Sequence, residues 1–401
     1  MRNHRFRELG KDVLIGILAV GVVVLTLMAL PTGLVAERLP LRTMQEEVAA
    51  EPQAVTAASE PLVLSAKTRA GRMSLRRDGA ALEMTYDRWS PLLGEALETA
   101  TMPRSVTQRE YLAALSGESL FYGFPGKVPI AALCSWLGVA EESLSGGGSE
   151  YVLALEKNGV ELYLNGDGCT AWKTELAPEK LRQLLRTCVP DGSSFAFEQP
   201  EKRRVAPTVL WESGAVRLSA AFSENPCGGT FAEELAEKLG FNPYGAGSYT
   251  DPRGNSVFTE SNRTCTVSLG GEVVLEQGDG IFGGSSAAER IEQARSLLET
   301  ICGGMTGEGK LTLRDYTENG STAHCSFLYV LNGVQVLPTA AEASFTENGL
   351  TELRVLVRAY HREAGTLTVM PLPQAAAIAP AESFLTVAYG GDGTMTAGWT
   401  E

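Results

Sequence analysis

The sequence predicts an α+β protein held at a membrane by a single amino-terminal transmembrane helix, followed by tandem domains that each join a small antiparallel sheet to a helix. Three observations lead there: a charge-free run from Val13 to Ala36, strand-like and helical segments that follow one another in blocks from Pro61 onward, and Asn-Gly or Gly-Gly pairs between alternating apolar runs. With 44% hydrophobic and 20% charged residues in 401, the composition is that of a globular chain with enough apolar content for two or three cores. The 34 Lys+Arg stand against 48 Asp+Glu, a net charge of −14, which excludes a basic nucleic-acid-binding protein as the default.

Residues 1–12 carry Arg2, Arg5, Arg7 and Lys11 against Glu8 and Asp12, and the next 24 residues, Val13 to Ala36, carry no charge. At about 1.5 Å per residue such a helix reaches about 36 Å, enough for a hydrocarbon core of about 30 Å, with Pro31 and Gly33 ending its regular part. The basic end is expected in the cytoplasm and everything after residue 36 outside it. Residues 1–12 are therefore read as a cytoplasmic tail and 13–36 as a single-pass anchor in the cell membrane. A cleaved export signal is the rival reading, but its nearest site, Leu34-Val35-Ala36, has Leu where a small residue is wanted. Without the +2 of the tail, the exported part carries about −16, which repels anionic polymers or, more plainly, keeps the ectodomain soluble.

Residues 37–60, rich in Ala, Glu and Pro, suit a spacer in which no chemistry is expected. A first extracytoplasmic domain is expected over 61–199. Trp89, Leu92, Leu93, Ala96 and Leu97 recur at helical spacing, and a second helix is expected around Val128 to Leu137. YVLALEKNGVELYL reads as a hairpin turning on Asn158-Gly159, and Pro178 opens a helix with Leu181, Leu184, Leu185 and Cys188 on one face. The break from Val189 to Arg204 marks a junction. A middle α+β domain, 200–282, follows: a strand, a helix capped by Thr230 with Glu233 and closed by Gly240, then a hairpin turning at Gly270-Gly271. The last domain, 283–401, opens with a helix capped by Ser286 with Glu289, whose Ile291, Ala294, Leu298 and Ile301 form an apolar stripe. An antiparallel meander continues it, with turns at Asn319-Gly320, Asn332-Gly333 and Asn348-Gly349. Helix-then-sheet order in the last two domains suggests two copies of one unit.

The chain contains no G-x-S-x-G or S-x-x-K frame for a serine nucleophile, no H-E-x-x-H and no calcium-loop pattern. His324 and His361 are expected to be structural or at the surface. His324 and Cys325, adjacent on a strand, point to opposite faces and cannot meet as base and nucleophile. The seven cysteines, with no CxxC, read as small buried apolar residues, an occasional disulfide being the alternative. Gly-Asp-Gly at 166–168, 278–280 and 391–393 reads as three turns without the companion acids a metal needs. Ser145-Gly146-Gly147-Gly148-Ser149 reads as a flexible loop: it precedes a strand, and a phosphate-binding loop precedes a helix. Acidic residues are plentiful, but no pair stands in a recognisable glycosidase frame. No catalytic, cofactor-binding or metal-binding residue is assigned, and the chain is read as a non-enzyme without a cofactor.

The segments DRWSPLLGEAL and ESLFYGFPGKVPIAAL give a Trp-bearing helix and a strand ending in an aromatic-Pro stretch, and SVFTESNRTCTVSLGGEVVLE gives an Asn- and Arg-bearing strand pair. FLYVLNGVQVLP, FTENGLTELRVLVRAY, PLPQAAAI and LTVAYGGDGTMTAGW follow, ending in Leu385, Tyr389 and Trp399. In these segments and their order the whole chain resembles the YycH/YycI family of membrane-anchored regulators, and its three segments place it nearer the YycH branch than the shorter YycI. It departs from the family pattern at Ala397-Gly398-Trp399, where a Pro usually precedes the final x-Trp. The resemblance implies a non-enzymatic accessory protein of two-component signal transduction. Its partner would be a sensor histidine kinase of the WalK (YycG) type controlling cell-wall metabolism, met through transmembrane and ectodomain contacts, with a YycI-like companion as a further partner. Gly16, Ala19 and Val20 offer a face of small to medium residues where another helix could approach in lipid; the alternative is that they are ordinary span residues, since no G-x-x-x-G is present. The competing function is a tethered extracytoplasmic ligand-binding or cell-wall-associated module with no kinase partner, and an envelope hydrolase stands third.

Overall fold

The strands at 119–129, 147–156 and 159–166 are buried on both faces and need cover on both sides, and this requirement shapes the first half of the fold. The computed structural model describes residues 57–140, 144–199, 204–245, 247–278 and 286–401, all within one compact unit running from Pro52 to Glu401. The fold is mixed, mostly sheet with helices packed on it. The expected tail, anchor and most of the expected spacer lie outside the described residues. No described helix is long and apolar enough to cross a membrane.

The first sheet has seven antiparallel strands: β1 (Val63–Thr68), β2 (Gly71–Arg76), β3 (Thr101–Val106), β4 (Ser119–Pro129), β5 (Gly147–Glu156), β6 (Gly159–Gly166) and β7 (Cys169–Lys173), in the spatial order 2-1-4-5-6-7-3. Its helices are α1 (Gly79–Glu98), α2 (Gln108–Ser116), α3 (Ile130–Leu137) and α4 (Pro178–Leu185). Leu120, Tyr122, Tyr151 and Leu153 pack with α1, α3 and α4, and the residues between them, Phe121, Val152 and Ala154, pack with α2 on the other face. Trp89, Leu93, Ala96 and Leu97 are buried on α1 as their spacing requires, and Leu181, Leu184 and Leu185 on α4. The expected second helix starts at Ile130, because Val128 and Pro129 still pair with Gly148 and Gly147 of β5. Helix α2 is not among the expected helices. It is opened by a reciprocal cap between Thr107 and Glu110, the pattern that announces a helix start.

The glycine run expected as a flexible loop is built into the sheet instead. Gly147 and Gly148 begin β5 as buried residues, and a Cβ on Gly148 would lie 2.2 Å from the Asn165 carbonyl oxygen. Glycine here permits strand contact at a distance no side chain allows.

After the short strands β8 (Ser194–Phe195) and β9 (Leu210–Trp211) come β10 (Val216–Glu224) and α5 (Phe231–Lys238), then β11 (Ser248–Thr250), β12 (Ser256–Glu260), β13 (Arg263–Val267) and β14 (Glu272–Gln277). Helix α6 (Ala287–Cys302) leads to β15 (Gly309–Asn319), β16 (Thr322–Leu331), β17 (Val334–Thr346), β18 (Gly349–Leu356) and β19 (Ala359–Val369), followed by α7 (Leu372–Ile378), β20 (Thr386–Gly390) and β21 (Thr396–Thr400). One ten-stranded sheet takes in both stretches, in the order 11-12-13-14-18-17-16-15, with β20 beside β17 and β21 beside β20. Segments 200–282 and 283–401 thus share a sheet, Val273 of β14 lying opposite Val355 of β18. The order is that of two four-strand meanders joined through their last strands. Helices α5 and α6 pack on the same face, with Ile291, Ala294, Leu298 and Ile301 in one core with α1, α3 and α4. The other face carries the β10–β19 pair.

Identical Asn-Gly pairs make different turns. At Asn332-Gly333 both residues have positive φ, 50° and 75°, and Leu331 pairs with Val334, a two-residue turn of the expected kind. At 156–159 the register puts Glu156 opposite Gly159, so the turn is Lys157-Asn158, and Gly159 already belongs to β6. Thr346 opposite Gly349 repeats that arrangement, yet the same tetrapeptide at 317–320 turns two residues later, with Asn319 opposite Thr322. Strand alternation sets the register, and the turn accommodates it. Of the expected caps, Ser286 with Glu289 forms the full reciprocal pair. Thr230 does not cap through its side chain, because its Oγ1 donates to Glu234 Oε1 at 2.6 Å.

The described end of the expected spacer is bound to the body. Ala58 and Ser59 are buried, the Ala58 carbonyl accepts from the Leu313 N–H at 2.8 Å, Ser59 Oγ donates to the Leu313 carbonyl at 3.3 Å, and Glu60 pairs with Lys310. Beside this strap the two sheets meet, β4 against β15, at Gly126, where a Cβ would fall 1.9 Å from the Arg314 carbonyl oxygen. Gly126→Ala is therefore expected to destabilise the unit by about 1–3 kcal/mol through overpacking against backbone. Gly168→Ala, with nothing within 4 Å of the added carbon, is expected to change little. Thermal unfolding of the two variants beside the wild type checks the difference.

Candidate ligand cleft

The contact between β4 and β15 leaves a cleft of about 450 Å³ beside it, within the size range of small-molecule sites. Its floor is the α2 face of the first sheet, with Tyr111, Phe121 and Glu150. One wall is Arg76, Arg77 and Glu212, and the other comes from the carboxyl-terminal sheet through Arg314, Gln335 and Val387. Phe384, about half exposed at 49%, lies at the mouth with Trp399 and Glu401.

Glu150 is 3% exposed, an acid on a strand face otherwise apolar. Asn165 Nδ2 and Tyr111 Oη each donate to its Oε2 at 2.8 Å, and Thr208 Oγ1 donates to its Oε1. Burial raises the carboxyl pKa above its ordinary 4.5, with the three hydrogen bonds pulling the other way. Burial also pushes the Tyr111 phenol far up, so it stays a donor. Because Thr208 lies between β8 and β9, this carboxyl ties the junction segment to the sheet.

A second acid holds the same segment. Arg72, 2% exposed, donates from Nε to Glu198 Oε2 at 2.9 Å and from Nη2 to the Leu115 carbonyl at 2.8 Å, with its guanidinium 4.3 Å from the Phe195 ring centroid. Lys67 adds a 2.9 Å contact to Glu198. Burial alone would raise the Glu198 pKa, but hydrogen bonds from Arg72 and Lys67 lower it.

Two guanidinium groups share one carboxylate on the cleft wall. Arg77 is bidentate to Glu212, at 2.8 and 2.6 Å, and Arg76 Nη2 lies 3.3 Å from the same acid. Burial and then the neighbouring Arg77 lower the Arg76 pKa to about 10. Arg314 donates to Thr339 Oγ1 at 2.7 Å and has no carboxylate within ion-pair distance among the described residues.

Residues singled out by the sequence lie mostly elsewhere. Gly16, Ala19 and Val20 are outside the described residues. His324 is half-buried on β16, its Nδ1 3.4 Å from Ser344 Oγ, while Cys325 is fully buried on the opposite face. His361 is on the surface, 3.5 Å from Glu224. Five of the seven cysteines are buried. Gly-Asp-Gly 391–393 is a turn, as expected, but Asp392 also binds Arg358 with both oxygens, at 3.1 and 3.0 Å, and accepts from Ser223. Of 278–280 only Gly278 is described. No group of three His, Cys, Asp or Glu that could hold a metal occurs among the described residues. Phe121, Gly123, Phe124, Pro125 and Gly126 of the FYGFPG segment line the cleft. Arg76, Arg77, Glu150 and Arg314 were not anticipated; the available signal was Glu150, an acid at a core position of an apolar strand.

No protein-family model, curated protein or solved structure matches the chain.

Two outcomes follow from these environments. Because the folded protein holds the Glu150 proton more tightly than the unfolded chain, Glu150 favours folding below pH 4.5 and loses that contribution as pH rises through its raised value. The wild type should accordingly gain stability relative to Glu150→Gln as pH falls toward 4.5, read by thermal unfolding at each pH. Burial lifts the Cys265, Cys302 and Cys325 thiols to about 12 and Cys227 to about 11, so thiol-specific labelling of the native protein at pH 8 should be slow at these four cysteines and become fast on unfolding.

Proposed function

We propose that this chain is a membrane-anchored extracytoplasmic accessory protein that modulates a sensor histidine kinase, of the WalK (YycG) type suggested by its resemblance to the YycH/YycI family. The observation that carries the reading is the order of parts: a basic tail, 24 uncharged residues and then one compact unit. The strap at Ala58–Glu60 adds a physical means. It is bonded to β15 at Leu313 and Lys310, and the next residue after Leu313 is Arg314 of the cleft wall. A displacement of the strap therefore reaches the cleft through a few bonded contacts, and a change in the cleft reaches the strap in return. Regulation would be a population shift in the kinase, produced by differential contacts with its signalling states.

The cleft favours a second reading, a tethered ligand-binding module with no kinase partner. The two differ in whether the identity of the span matters. Full-length protein and a version with residues 13–30 replaced by an unrelated span, each purified from detergent-solubilised membranes, are expected to differ. Mass identification should find a histidine kinase with the native span and lose most of it with the replacement. Equal recovery with both would move the contact to the ectodomain, and recovery with neither would favour the independent module.

A further inference from the structure

The cleft lining holds three arginines, Arg76, Arg77 and Arg314, and three acids, Glu150, Glu212 and Glu401, and of these acids only Glu212 is ion-paired with an arginine among the described residues. Arg76 and Arg77 divide one acid, Glu212, between them, and Arg314 has only a hydroxyl partner among the described residues. The other acid of the interior, Glu150, is turned to internal donors and fully engaged by Asn165, Thr208 and Tyr111. Glu401 lies at the exposed mouth and accepts from Ser383 Oγ at 2.7 Å. Three guanidinium-bearing residues thus line a partly dehydrated space in which attraction for an anion is stronger than in water. Arginine suits that task, since it keeps its charge when dehydrated and presents paired donors to carboxylate or phosphate oxygens.

The remaining lining supplies the rest of a ligand's surface. Leu112, Phe121, Leu385 and Trp399 are apolar wall residues, and the Trp399 ring nitrogen is already committed to the Met370 carbonyl at 2.8 Å, which leaves its ring as contact area. Phe384 is 49% exposed at the mouth, a large apolar side chain that an occupant would cover.

We propose that this cleft binds a small organic anion, its acidic group on the side of Arg76, Arg77 and Arg314 and its apolar body against Phe384 and Trp399. Carboxylate and phosphate monoester heads share the chemistry, and a cationic head on the same body does not. The inference holds whether or not a kinase is the partner, so its failure would leave the proposed function standing.

The test is saturation-transfer NMR and calorimetry on the full-length protein in lipid nanodiscs, with empty nanodiscs as reference. Three probes of similar aromatic body are used: phenylacetate, phenyl phosphate and phenethylammonium. At least one anion is expected to bind, with phenethylammonium at least tenfold weaker, and the tighter anion identifies the head group. Arg314→Gln is expected to weaken anion binding at least tenfold with its unfolding temperature unchanged. Phe384→Ala, at an exposed position that leaves folding intact, should weaken both anions together. Absence of binding by either anion, equal binding of the cation, or full affinity in a folded Arg314→Gln and in Phe384→Ala would overturn the proposal.

Discussion

The close approach of β4 to β15 at Gly126 and Arg314 is the constraint on which the rest of the molecule depends. It brings a seven-stranded sheet and a ten-stranded sheet into backbone contact at a point where no side chain can intervene. The cleft lies beside that contact, and its walls belong to different sheets. β4 departs from regular pairing with β5 between Gly123 and Val128, and this departure carries the Phe124-Pro125-Gly126 stretch toward β15. A regular strand there would keep its pairing with β5 and lose the approach.

Around that point the chain is held by long-range bonds to segments that look like linkers. The strap before β1 bonds to Leu313, and the junction after α4 is pinned by Glu198 to Arg72 and Lys67 and by Thr208 to Glu150. These are buried charged and polar contacts, costly to leave unpaired and strongly directional when satisfied. They explain why residues 52–401 form one unit although the sequence divides so readily into segments. They also place the start of the folded unit next to the cleft.

Much of the local structure was legible. Helical spacing located α1, α4 and α6, and turn pairs located the hairpins, because those signals depend on neighbours a few residues apart. Sharing of one sheet by β14 and β18 was not legible, since that pairing joins residues some eighty positions apart and leaves no local mark. Composition misled at the Gly146–Gly148 run, where the glycines serve close packing and the strand continues through them. Thr230 with Glu233 has the right spacing for a cap, but Thr230 engages Glu234 instead. The cleft was hidden for a similar reason: its arginines come from β2, the turn after it and β15, and only the fold assembles them. What could be read was Glu150, whose charge conflicts with the apolar alternation of β5.

The regulatory reading joins two features that neither half of the molecule supplies alone, an uncharged amino-terminal segment and a folded unit whose first residues are bonded beside a charged cleft. Its central claim is that the segment from Val13 to Ala36 meets a kinase helix through one face. The most direct measurement is photo-crosslinking in living cells from single positions, with the reactive residue at Ala19 or at Leu18, which lies roughly opposite the Gly16–Ala19–Val20 face on a helix of about 3.6 residues per turn. Capture of a sensor histidine kinase from Ala19, and little from Leu18, is expected. Equal capture from both positions, or a kinase from neither, would contradict it.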